Sequence, residues 1–92
     1  MITRTAVVGS SVGLHARPAA LFVAAVNDTD LEVWIALGDD EPADAGSILD
    51  VMTLGAKHGE TVTLEADAAG RTASFTASGT VYTFKGFLEA YE

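Results

Sequence analysis

A single small domain that mixes β-strands with two helices is what this sequence predicts, and three observations predict it. Stretches 2–8, 31–37 and 60–67 carry β-branched residues, and in the last two the larger aliphatic residues recur with a period of two. Stretches 16–26 and 47–55 are apolar runs that begin with helix-start signals. The chain has 92 residues, 49% of them hydrophobic, with no linker long enough to divide it. A domain of this size buries roughly 60–65% of its unfolded surface, so the core is thin.

The elements follow in order. "ITRTAVV", 2–8, reads as a strand, and "GSSVG", 9–13, is a loop by its glycines and serines. Pro18 is acceptable only in the first turn of a helix, where its missing N–H costs nothing. The helix therefore starts near Ala16, with His15 at or beside its N-cap, and "NDTD" at 27–30 ends it. "LEVWIAL", 31–37, puts Leu31, Val33, Ile35 and Leu37 on one face of a half-buried strand. "GDDEP", 38–42, is a solvated turn, and a short strand is expected at 43–45.

In "SILDVMTLG", 47–55, Ser47 followed by Asp50 is a capping-box-like start. Gly55 suits the position after a helix, and Lys57 and His58 are expected where a helix C-terminus favours cations. "ETVTLEAD", 60–67, is another long strand. Beyond it, Thr and Ser alternate with other residues from Thr72 to Val81. Segments 71–77 and 80–87 therefore read as strand-prone, with a hairpin around Ser78-Gly79.

Charge narrows the function. A net charge of −8 argues against a general nucleic-acid binder. The charge is uneven: residues 1–27 carry Arg4 and Arg17 as their only charges, whereas residues 28–67 contain eleven acids. The "GLHARP" loop, 13–18, is thus a locally basic spot where an anion is tolerated. Without cysteine there are no disulfides and no thiolate nucleophiles or ligands. "PAALFVAAV" has the length of a signal h-region, but it follows a strand-like start and a loop and reads as a buried helix. No segment is long enough to span a bilayer, and a cytoplasmic protein is expected.

Two stretches resemble one family. "VGLHARPAALFV", 12–23, is similar to the active-site motif of HPr, the histidine-containing phosphocarriers of the bacterial sugar phosphotransferase system. "SILDVMTLGAKHGE", 47–60, is similar to the second-helix motif of the same family. The resemblance covers residues 1–68. It implies an α+β open-faced sandwich, a four-stranded antiparallel sheet with helices packed on one face. It also implies a phosphoryl carrier rather than an enzyme with its own turnover. The group would come from phospho-enzyme I and pass to the IIA domain of a sugar permease.

On this resemblance His15 is the phosphorylated residue, Arg17 a phosphate contact and Pro18 the helix starter. Ser47 corresponds to a serine that a regulatory kinase phosphorylates in some relatives. Ile48, Leu49 and Met52 correspond to apolar residues that dock partners. The expected partners are enzyme I, IIA domains and, through Ser47, a serine kinase. No cofactor or metal is expected, and neither nucleic-acid binding nor membrane insertion.

These residue types suit that chemistry. A carrier needs a nucleophile that attacks phosphorus and later leaves easily, and neutral imidazole does both. The positive end of a helix dipole disfavours a cationic ring and favours the phosphate once it is there. First-turn N–H groups, here of Ala16 and Arg17, can bind its oxygens beside Pro18. The Arg17 fork adds a charge-assisted contact. Gly13 permits a close approach of the backbone.

Bland readings stand beside these. A lone His at a helix start is most often a surface residue; Arg17 and Pro18 at these offsets reverse the odds. Ser47 is an N-cap whatever else it does, a role worth about 1 kcal/mol. A phosphate there would favour the helix dipole but face Asp44 and Asp50. Ile48, Leu49, Val51 and Met52 are too many apolar residues for one buried stripe of a two-turn helix, so some are exposed. An alternative function follows: a regulatory or interaction module that docks through 48–52 with Ser47 as its switch.

Two features depart from the family. The first helix has Ala24, Ala25, Asn27 and Asp28 where many relatives carry lysines, so basic steering is weaker. Residues 69–92 form an atypical tail of the single 1–92 domain, strand-prone where the family has a long helix.

Overall fold

A computed structural model of the chain describes residues 2–29 and 31–67. The strand-prone segments 71–77 and 80–87 lie outside the described residues. Within them the order is β1 (Ile2–Val7), α1 (Ala16–Asn27), β2 (Glu32–Leu37), β3 (Ala43–Asp44), α2 (Ile48–Thr53) and β4 (Thr61–Asp67). The elements lie within two residues of their predicted bounds.

The strands form one sheet in the order β1-β4-β2-β3, and every pairing is antiparallel. β4 is central: it pairs along β1 from Ile2–Ala66 to Val7–Thr61, and along β2 from Glu32–Asp67 to Leu37–Val62. The sheet and the two helices make an α+β open-faced sandwich, as expected.

Alternation sets the inner face. Val33 and Ile35 of β2 are buried, as are Val62, Leu64 and Ala66 of β4 and Ala6 and Val8 at the end of β1. α1 adds Ala19, Phe22, Val23 and Val26, spaced at helical intervals, and α2 adds Val51. Phe22 is fully enclosed by this cluster. Truncating it to alanine removes the centre of a thin core and costs about 3–5 kcal/mol.

α2 illustrates a partial fit to expectation. Ser47 Oγ accepts from the Asp50 N–H at 3.4 Å, which is one half of a capping box. The other half does not form, because the Ser47 N–H donates to the Asp44 carbonyl at 3.1 Å. The helix ends as expected with Gly55 in the left-handed region, φ +68°. Lys57 and His58 do not cap it. α2 stops at Thr53 and has no basic residue in its last turn. Those two residues lie in the turn that leads into β4, and His58 bonds elsewhere.

Candidate functional site

The end of the β1–β4 ladder builds the ground on which the site stands. Beyond the last strand pair, the Val8 N–H donates to the Glu60 carbonyl at 2.9 Å and the Gly59 N–H donates to the Val8 carbonyl at 2.8 Å. The chain then leaves β1 as a loop beside residues 56–60. Ser10, buried, closes a turn by accepting the Gly13 N–H at 3.0 Å, and its hydroxyl accepts the Val12 N–H at 3.3 Å. The Leu14 N–H donates to the Ala56 carbonyl at 2.9 Å, and the Leu14 side chain sinks into the core.

Gly13 is required on two counts. Its φ is +74°, and a Cβ there would lie 2.5 Å from the Ala56 carbonyl oxygen and 3.1 Å from Lys57 Cα. The close approach expected of this glycine is thus made against the turn before β4.

His15 is the N-cap of α1, with φ −142° and ψ 158°. It is an unusual cap. Its side chain makes no capping hydrogen bond, and no acidic residue stands in the first turn. The first-turn N–H groups, those of Ala16 and Arg17, have no carbonyl one turn earlier to bond. Pro18, buried in the third helical position, has no N–H to leave unsatisfied.

His15, Ala16 and Arg17 are all exposed, and neither the His15 nor the Arg17 side chain has a hydrogen bond or ion pair among the described residues. Among the described residues, an imidazole, two N–H groups without a helical carbonyl partner and a guanidinium without an ion pair thus share one helix end. That arrangement can receive an anion bonded to the ring.

Ala16 has a φ of +50°, the one positive value at a non-glycine position among the described residues. For an L-residue with a Cβ this region costs on the order of 1 kcal/mol. Nothing in the residue type announces it, and sequence reasoning missed it. It missed His58 as well. The His58 Nδ1 lies 3.2 Å from the Ser10 carbonyl oxygen, joining residues 48 positions apart.

The second helix keeps its predicted residues apart from this site by role. Ser47 is an N-cap, Val51 is buried and Met52 is half-buried, while Ile48 is 44% and Leu49 70% exposed. Two large apolar side chains therefore face solvent, as the composition of the helix requires.

Comparison with known proteins fits the same geometry. A family model described as the PTS HPr component phosphorylation site matches residues 2–79. The chain is 46% identical over 74 residues to the phosphocarrier protein HPr of Streptomyces coelicolor, covering 80% of each chain. It is 40% identical over 75 residues to that of Haloferax volcanii, covering 80% of this chain and 84% of the relative. Its structure resembles that of HPr from Bacillus anthracis with a TM-score of 0.80 at 25% identity, covering 96% of each chain. With a family model that spans most of its length and relatives this similar, the chain belongs to the HPr family of phosphocarrier proteins, which are carriers rather than catalysts.

Proposed function

We propose that this chain carries phosphoryl groups in a sugar phosphotransferase system, in the cytoplasm, through a phosphohistidine at His15. The unprotonated nitrogen of the neutral His15 ring attacks phosphorus on phospho-enzyme I. A nitrogen–phosphorus bond forms as the donor's bond breaks, and the other ring nitrogen keeps its proton. The transferred group then leaves His15 for a IIA domain of a sugar permease.

The N–H groups of Ala16 and Arg17 and the Arg17 guanidinium receive the oxygens, with Pro18 fixing the turn. Positioning and electrostatics suffice for this kind of transfer. The observation that carries the reading is the open end of α1: an exposed His15 that caps nothing, beside an Arg17 with no ion pair among the described residues.

Ile48, Leu49 and Met52 would dock the partners, since Leu49 is 70% exposed. The same exposure favours a second reading, a regulatory module that docks through 48–52 with Ser47 phosphorylated by a serine kinase.

One assay separates the two. The protein is incubated with enzyme I and radiolabelled phosphoenolpyruvate. The carrier reading expects an acid-labile label that His15→Ala abolishes. A wild-type protein that takes no label from an active enzyme I leaves the docking module as the better reading.

A further inference from the structure

We infer that His58 is a positioning residue for phosphoryl transfer: its ring clamps the loop that presents His15. The inference rests on the carrier reading above. Loop 9–15 is fixed at its two ends by backbone bonds, Val8 to Gly59 and Glu60 and Leu14 to Ala56. Between them, the His58 ring reaches the loop from 48 residues away, its Nδ1 lying 3.2 Å from the Ser10 carbonyl oxygen.

The acceptor is well chosen. The Ser10 carbonyl already takes the Gly13 N–H, so a second bond to it stiffens the turn that delivers Gly13 and Leu14 to their places.

The donor is equally well held. His58 sits second in the turn 57–60, which is closed by the Glu60 N–H on the Lys57 carbonyl at 3.1 Å and by the Lys57 N–H on Glu60 Oε1 at 2.8 Å. Gly59, third in that turn, has φ +85°, the conformation a type II turn requires there. A carbonyl oxygen accepts only, so Nδ1 carries the proton. The neutral ring is the Nδ1–H tautomer, and the cationic ring keeps the same donor. α1 provides no cap of its own at His15, so its approach geometry depends on this external brace.

Three variants and one spectrum test it. His58→Ala removes the donor. His58→Asn keeps an amide N–H at the same distance along the side chain as Nδ1, and His58→Gln moves it one bond further out. With all variants folded by circular dichroism, His58→Ala is expected to lower kcat for labelling of His15 by enzyme I about three- to tenfold, the weight of one hydrogen bond. KM stays within about twofold. His58→Asn restores the rate and His58→Gln does not. Gly13 amide exchange quickens in His58→Ala, and nitrogen NMR of the wild-type ring reports the Nδ1–H tautomer.

Labelling by His58→Ala at the wild-type rate overturns the positioning role alone, as does an Nε2–H tautomer or a failure of Asn to rescue. Wild-type protein that takes no label overturns the carrier reading and this role with it.

Discussion

The two helices of this domain begin in opposite ways. α2 closes its own end: Ser47 accepts the Asp50 N–H, and Asp50 puts a negative charge in the first turn. α1 leaves its end open. His15 caps nothing, the first turn holds Arg17 instead of an acid, and Ala16 sits in a strained conformation. What α1 lacks internally, the segment before β4 supplies from outside, through Ala56 against Gly13 and Leu14. A helix end that satisfies itself is finished structure. One that is held from behind and left bare in front leaves its donors open, as the proposed phosphate site requires.

The sharpest way to break this contrast is to give α1 the first turn of α2. Arg17→Glu places an acid where the proposed carrier would receive an anion and removes the guanidinium. The initial rate of His15 labelling is expected to fall by about 100-fold or more, the combined loss of a charge-assisted bond and added repulsion. The melting temperature should hold or rise slightly, because an acid suits a helix N-terminus. Undiminished labelling would show that Arg17 does not contact the phosphate.

Disturbing the contact between Gly13 and the segment before β4 comes next. Gly13→Ala forces a Cβ onto the Ala56 carbonyl and strains a positive φ. Since the obstacle is backbone, about 2–3 kcal/mol of stability should be lost, read from the shift in denaturant midpoint.

At the closed end, Ser47→Ala should cost about 1 kcal/mol and leave His15 labelling unaltered. A drop in labelling without a drop in stability would tie the two helix ends together functionally. The smallest effect is expected at Ala16. Ala16→Gly relieves the left-handed conformation but adds freedom to the unfolded chain, for a net gain of about 0.5 kcal/mol in an unfolding titration.

Much of the contrast was legible in the residues. Pro18 located the start of α1 because proline tolerates so few helical positions. Ser47 and Asp50 announced the cap of α2 three residues apart. Alternation at Val33 and Ile35, and at Val62 and Leu64, marked the inner face of the sheet because strand side chains can only point two ways.

The illegible parts share a different physics. An alanine at positive φ looks like any alanine, and the constraint on Ala16 comes from the chain around it. His58 followed a helix in sequence, so a dipole partner was the natural expectation for it. Its true partner, Ser10, belongs to a loop that only the β1–β4 pairing brings near. The second half of the capping box failed for a similar reason, since Asp44 reached the Ser47 N–H first.

The central place of β4 has a consequence for how the site comes into being. β1 and β2 do not pair with each other; each pairs with β4, which follows both in the chain. A nascent polypeptide therefore displays Gly13 to Pro18 while Ala56, His58 and Glu60 are still to be made. At about 5–20 residues per second that interval lasts several seconds. Throughout it, the motif is complete as a string of residues and incomplete as an object, with no surface to lie against. The growing chain completes this helix end late, with the strand that also joins the two halves of the sheet.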